Sequence, residues 1–289
     1  MKNFDMKIYN FQKDIILSIA GRAMGAVLLL CALCVSCDHI DEDERLIYVK
    51  PAAVGRSVLI EDFTGQNCLN CPTATQIIGE LQESYGHENV VAVAIHSGDF
   101  GYMRGDRNRP YPLTTDMGDA YFNHWGLSSQ PVGIVNRQGA SDYASWGTQV
   151  FEQLQKTARV DMRVQSAFDS EKRQIDVTVY SMGMDGNVSG KLQVWLTEDN
   201  ITEGQRMPDG VWNREYTHNH VFRDAVNGAW GDDYSIQEGY VQTVKFSYTI
   251  LEDKDWKAEN MHVVAFVYND KGVEQVVSAP VVGSDEVME

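Results

Sequence analysis

The sequence predicts an α/β segment followed by an all-β segment, because its hydrophobic pattern changes period near residue 159. Before that point, short continuous apolar runs alternate with stretches whose apolar residues recur at helical spacing. After it, apolar and polar residues alternate with a period of two, which is typical of half-buried antiparallel strands. We therefore expect two folded domains, over residues 56–159 and 160–289.

The first of these domains has the pattern of a β-α-β unit with further α/β structure after it. Buried strands are predicted near residues 57–63, 90–95 and 132–135, and helices over 74–85, 114–125 and 146–158. Such an order favours a mainly parallel sheet.

The second domain contains about seven short strands separated by turn residues. The clearest alternations run through 160–164, 175–179, 192–196, 244–250 and 262–268. An immunoglobulin-like β-sandwich fits this count.

Charge and composition narrow the classes of partner. The chain has 24 Lys and Arg against 41 Asp and Glu, a net charge of −17. This strong negative charge disfavours phosphate-rich partners, so we expect no nucleic-acid binding. No motif implies a cofactor.

The N-terminus has the profile of an export signal over residues 1–37. Basic residues precede an apolar run of about 13 residues, too short for the roughly 20 that a membrane-spanning helix needs. The run ends at Val35-Ser36-Cys37, which resembles a bacterial lipobox, although the position three before the cysteine holds Cys34 instead of the usual Leu. We expect lipidation at Cys37, the alternative being cleavage without an anchor. An acidic tether follows over residues 38–55.

The mature chain then retains one cysteine pair, Cys68 and Cys71, spaced C-x-x-C between the first strand and the first helix. A helix N-terminus stabilises negative charge and lowers the pKa of a thiol, so Cys68 is a candidate nucleophile. The alternatives are a structural disulfide and a zinc site. Zinc needs two further ligands, and the only dense histidine pair, His218 and His220, lies in the other predicted domain.

The segment around this pair resembles the thioredoxin superfamily, in which an acidic strand residue precedes the first cysteine by six positions. Asp62 has that spacing. The resemblance implies that Asp62 is buried beneath the disulfide and helps to move the proton of Cys71. Its neighbour Glu61 should point to the opposite face of the sheet.

A second matching feature is Gln130-Pro131, directly before the third strand. Thioredoxin-like folds have a cis-proline there, packed against the C-x-x-C, and the residue before it binds the main chain of the substrate. The resemblance therefore implies a cis Pro131 and a substrate contact at Gln130, the alternative being a trans proline at a strand start.

The loop after the second strand leaves from the same sheet edge as Cys68 and carries Arg104, Arg107 and Arg109. This cluster would stabilise a Cys68 thiolate or guide an acidic partner, the alternative being a solvated loop face. His96, at the end of the strand, either reaches the cysteine pair or is a core histidine bonded to backbone.

Four longer motifs resemble the twenty-eight-kilodalton outer-membrane-protein family of Bacteroidetes lipoproteins. They lie after the lipobox at residues 61–72, 92–100, 218–223 and 228–231. The family implies outer-membrane attachment and a thioredoxin-like domain joined to a β domain. It implies no settled activity.

The leading hypothesis is thiol–disulfide exchange on exported or other envelope proteins. Cys68 would attack, a mixed disulfide would form and Cys71 would resolve it, which requires an accessible Cys68. The alternatives are a surface binding or adhesion module, or a structural envelope subunit, in which the disulfide only locks a loop.

Overall fold

The computed structural model describes residues 53–102 and 113–283. Its first part alternates strands and helices, as the apolar periodicity predicts. The strands are β1 (Val58–Thr64), β2 (Val90–His96), β3 (Val132–Val135) and β4 (Ala140–Ser141), and the helices are α1 (Cys71–Tyr85), α2 (Asp116–His124) and α3 (Trp146–Leu154).

The helix ends follow local chemistry. Helix α1 carries Pro72 in its first turn, where no N–H is needed, and it ends at Gly86, whose φ of 92° favours glycine. Helix α2 begins after Thr115, whose Oγ1 accepts a hydrogen bond from the Gly118 backbone N–H at 2.9 Å.

The rest of the described chain is almost entirely strand. Its elements are β5 (Val160–Asp169), β6 (Gln174–Gly183), β7 (Val188–Glu198), β8 (Ile201–Arg206), β9 (Trp212–His218), β10 (Val221–Ala225), β11 (Asp232–Ile236), β12 (Gln242–Thr249), β13 (Met261–Asn269) and β14 (Gly272–Pro280). The fold is therefore mostly β. The predicted alternating stretches lie within β5, β6, β7, β12 and β13. The prediction of half-buried strands is wrong for β7 and β13, which are buried on both faces over residues 192–198 and 263–267 because they lie between two apolar clusters.

These strands form three sheets. The largest has nine strands in the order β14-β13-β7-β10-β2-β1-β3-β4, with β11 also paired to β7. A three-stranded sheet has the order β12-β6-β5, and β8 and β9 form a separate two-stranded hairpin.

The large sheet is mixed, so the prediction of a mainly parallel sheet is wrong. Strand β1 is parallel to β2 but antiparallel to β3, because the chain returns to β1 from the opposite direction. The sheet also crosses the predicted domain boundary: β10 pairs in parallel with β2 through Val221 and Ala94, and antiparallel with β7. The described residues belong to one compact unit, Lys50–Glu289.

Three apolar clusters account for this arrangement. One lies between the three-stranded sheet and the β7–β13 face of the large sheet. A second, on the opposite face of the large sheet, joins residues of β1 and β2 to aromatic residues of the later strands: Leu59, Phe63, Val91, Val93, Ile95, Trp195, Phe222 and Phe266. The third packs α1 and α3 against the other face of β1 and β2. The second cluster ties the two predicted domains together.

Among the described helices, none combines the length and the apolar character needed to cross a membrane.

Candidate functional site

The cysteine pair is a disulfide at the start of helix α1. Cys68 follows the turn after β1, Cys71 is the first residue of the helix, and their Cα atoms are 5.5 Å apart. The pair therefore lies at the carboxyl end of β1, next to the end of the parallel strand β2. Ligand sites in sheets of this kind favour that edge.

The turn that carries Cys68 packs closely against the segment around Phe100. The Asn67 backbone N–H donates to the Phe100 carbonyl at 2.9 Å. A Cβ atom at Gly65 would overlap the carbonyl oxygen of Phe100, so the sequence requires glycine where these two segments meet.

Neither cysteine is open to solvent, which contradicts the expectation of an accessible Cys68. Cys68 is 3% exposed and Cys71 is 1% exposed. Only the two residues between them, Leu69 and Asn70, are exposed.

The β8–β9 hairpin lies against this turn and hydrogen-bonds to it. The Gln205 side-chain amide donates to the carbonyls of Gly65 at 3.2 Å and Cys68 at 3.0 Å. The Gln66 side-chain amide donates to the Gly204 carbonyl at 2.8 Å, and the Arg206 backbone N–H donates to the Gln66 carbonyl at 2.8 Å. The sequence pattern predicts that the hairpin belongs to a separate domain, so these contacts could not be predicted from it.

Asp62 is buried on the helix side of β1, as the resemblance implies. It is 1% exposed and shares a face with Ile60, which packs against helix α1, whereas Glu61 points to the other face and pairs with Arg137 at 3.2 Å. Among the described residues, neither carboxylate oxygen of Asp62 has a hydrogen-bond partner. Burial raises the pKa of Asp62 to about 7.

Three further titratable side chains surround Cys71. His96, Tyr216 and His218 line a cavity of about 20 Å³ together with Cys71 and Thr75. That volume is enough for one water molecule.

The two imidazoles of this cavity are neutral at ordinary pH. Burial lowers the pKa of His218 to about 4 and holds the pKa of His96 well below its usual range. Their rings lie 5.1 Å apart, and within the described part of the chain His96 Nδ1 and His218 Nε2 have no hydrogen-bond partner. Because His96 and Cys71 line the same cavity, His96 lies in the surroundings of the cysteine pair.

The sequence pattern places His218 in the second predicted domain, away from the cysteine pair. In the structure His218 lies at the site instead, because β10 pairs with β2 and the Ala94 backbone N–H donates to the His220 carbonyl at 2.7 Å. That contact brings the end of β9 beside Cys71. Even so, no group of three or more His, Cys, Asp or Glu side chains in residues 53–102 and 113–283 is placed to hold a metal ion.

The Gln130–Pro131 peptide bond is cis, which confirms the geometry that the resemblance implies. The Gln130 side-chain amide donates to the Thr64 carbonyl at 2.7 Å and the Ser97 carbonyl at 2.9 Å, so it joins the ends of β1 and β2. Its contact with a substrate main chain stays a prediction.

The remaining predicted site residues lie outside the described residues. They are Arg104, Arg107 and Arg109 in the loop after β2, and Cys37 at the predicted lipidation site.

Comparison with known proteins identifies relatives of the chain. The family model described as outer membrane protein Omp28 matches residues 118–285. Among solved structures, HBP35 of Porphyromonas gingivalis superposes with a TM-score of 0.62 at 14% identity, covering 83% of this chain and 81% of HBP35. This likeness shows a shared fold only.

A domain of the outer membrane lipoprotein Omp28 from Porphyromonas gingivalis is 27% identical, with a TM-score of 0.32, and the match covers 43% of this chain and 88% of that domain. No curated protein matches the chain.

Proposed function

Because the chain belongs to the outer membrane protein Omp28 family, we propose that it is a lipid-anchored outer-membrane protein whose thioredoxin-like site exchanges disulfides with exported proteins. Cys37 is the proposed lipid attachment point and residues 38–55 the tether. Residues 56–159 supply the cysteine pair, Asp62 and Pro131. The immunoglobulin-like strands after them complete the surroundings of the pair through Gln205 and His218 and orient the substrate.

The observation that carries this proposal is the unpartnered Asp62 carboxylate. Burying a carboxylate without a hydrogen bond costs roughly several kcal/mol of folding free energy. A disulfide whose only role is to lock a loop does not need such a carboxylate nearby. A group whose pKa is about 7 can both give and take a proton near neutral pH. Asp62 lies on the face of β1 that packs against helix α1, the helix that begins with Cys71. There it can exchange a proton with the Cys71 thiol each time the disulfide is broken and re-formed.

In this mechanism the oxidised pair reacts with a substrate that carries two thiols. A substrate thiolate attacks Cys68 Sγ, the Cys68–Cys71 bond breaks, and the electron pair leaves on Cys71 Sγ, which takes the proton of Asp62. The second substrate thiolate then attacks the mixed disulfide and releases Cys68 as a thiolate.

The net result is one substrate disulfide formed, with Cys68 left as a thiolate, Cys71 as a thiol and Asp62 deprotonated until it takes a proton from solvent. An external disulfide re-forms the pair by the same steps in reverse. Since both directions pass through the same mixed disulfide at Cys68, one trapping experiment tests either.

The test is to trap this intermediate. Replacing Cys71 by serine removes the resolving thiol, so mixed disulfides between Cys68 and envelope proteins should accumulate and disappear on reduction. The matched control is Cys68→Ser, which keeps the other cysteine of the pair. Equal amounts of adduct in the two variants, measured by non-reducing electrophoresis of the envelope fraction, would refute exchange.

One observation favours the alternative of a binding or structural protein: both cysteines are almost fully buried. If the disulfide only locks the loop from Cys68 to Cys71, both single-cysteine variants lose stability and neither accumulates adducts. Exchange instead requires that the cover over the pair opens.

A further inference from the structure

The β8–β9 hairpin lies against the buried cysteine pair: Gln205 is hydrogen-bonded to the Cys68 carbonyl, and Tyr216 and His218 line the cavity at Cys71. The hairpin pairs with no other strand of the three sheets. A two-stranded hairpin has little stability of its own, so its position depends on the surface beneath it. Here that surface is the turn at residues 65–68, to which Gln205, Gly204 and Arg206 are hydrogen-bonded.

The contacts of β8 have the form of strand recognition. The Gln66 main-chain carbonyl accepts from the Arg206 N–H, and its side-chain amide donates to the Gly204 carbonyl. An incoming chain in extended conformation offers the same two main-chain groups at the same spacing, whatever its side chains.

We propose that β8–β9 is a displaceable cap, and that an extended segment of a client polypeptide takes the place of β8 against residues 65–68. This inference rests on the proposed exchange. Gln205 is the positioning residue of the closed state, because its one side-chain amide bonds to both ends of the turn that carries Cys68. Opening the cap exposes Cys68 while the large sheet stays intact.

The first test measures how fast dithiothreitol reduces the disulfide in the folded protein. A cap that opens locally predicts a rate that reaches a plateau as the reductant concentration rises. Replacing Gln205 by alanine should raise the rate about tenfold, since it removes the bonds to Gly65 and Cys68. Gln66→Ala, which removes the bond to Gly204 from the other side, should act in the same direction.

The matched control is Val211→Ala in the loop between β8 and β9. Val211 is 60% exposed, and its replacement leaves every contact with residues 65–68 in place, so its rate should equal that of the wild type. Urea unfolding of each variant separates local opening from a general loss of stability. If Gln205→Ala and Gln66→Ala both stay within about twofold of the wild type, the hairpin is not the cap.

The second test examines strand replacement. The Cys71→Ser protein is joined through Cys68 to an unstructured ten-residue peptide that carries one cysteine, and amide hydrogen exchange is followed. The proposal predicts that amides of β8 lose protection and that amides of β13 keep theirs. Unchanged protection of β8 in the adduct contradicts it.

The two proposals fail separately. A cap without exchange gives fast reduction of Gln205→Ala by dithiothreitol but no trapped envelope proteins. Exchange without this cap gives trapped proteins and no effect of Gln205→Ala.

Discussion

At the scale of single residues, Asp62 is a buried carboxyl group for which no hydrogen-bond partner is found among the described residues. It is 1% exposed, and of the two residues that flank it Phe63 is apolar and Glu61 pairs with Arg137. In the unfolded chain its pKa is the ordinary value of 3.8, whereas burial raises it to about 7 in the folded protein. The folded state therefore holds a proton that the unfolded state releases, and stability falls as the pH rises between those values.

Asp62→Asn removes this titration. The gain in unfolding free energy over the wild type should be larger at pH 8 than at pH 5 by about 2.6 kcal/mol, because the interval from pH 5 to the folded pKa spans about two pKa units of about 1.4 kcal/mol each. Urea unfolding at the two pH values measures it, and comparing them cancels any pH-independent cost of the buried amide. An equal effect at both values would mean that Asp62 is ionised in the folded state throughout.

The identity of several site residues could be read from sequence because their signals are local. The spacing of Asp62 from Cys68 and the position of Pro131 before β3 are fixed by neighbouring residues, and so is the order of strand, turn and helix. Gln66 and Gln205 carry no such signal. Their importance comes from a contact between residues far apart in the chain.

At the scale of elements, β9 supplies a buried histidine to a site built by other strands. Burial lowers the pKa of His218 to about 4, while an unfolded histidine has its ordinary pKa of 6.5. As the pH falls below 6.5, His218 becomes protonated in the unfolded state but stays neutral in the folded state. Stability is therefore lost from pH 6.5 downward, with the full loss reached below pH 4.

His218→Gln should flatten this acid dependence. Between pH 7 and pH 5 the wild type should lose about 2 kcal/mol more unfolding free energy than the variant. Chemical unfolding at both values, with Val211→Ala as a surface control, provides the measurement. Parallel pH profiles for wild type and His218→Gln would show that the pKa of the imidazole is the same in the folded protein as in the unfolded chain.

Strands could be predicted from the sequence, but their partners could not. The period of two predicts all of β5, β6, β7, β12 and β13, but it reports which side chains face a core only in strands with one exposed face, such as β6 and β12. Both faces of β7 and β13 are buried. Pairing depends on contacts at long sequence separation, such as Val221 with Ala94 between β10 and β2. The mixed sheet and the position of the β8–β9 hairpin follow from those contacts.

At the scale of the whole molecule, the two predicted domains share one sheet and one apolar cluster. Leu59 and Phe63 of β1 lie in the same cluster as Trp195, Phe222 and Phe266. Residues before and after position 159 therefore bury each other. The proposed client site needs residues from both of these parts of the chain.

A fragment of residues 53–159 should consequently fail to fold on its own. Separation would expose the β1 and β2 residues of the shared cluster, and large exposed apolar faces are unfavourable in soluble domains. We expect no cooperative thermal or urea transition by near-ultraviolet circular dichroism, whereas the fragment 53–283 should give one. A sharp transition in the shorter fragment would support independent domains.

The reduction potential of the Cys68–Cys71 pair separates an exchanging disulfide from a structural one. It is measured by equilibrating the protein with dithiothreitol buffers and counting alkylated thiols by mass spectrometry. A cysteine pair that undergoes thiol–disulfide exchange with protein thiols should have a reduction potential above roughly −300 mV. A potential below that value would mean that the disulfide is a permanent lock and that the site does not exchange.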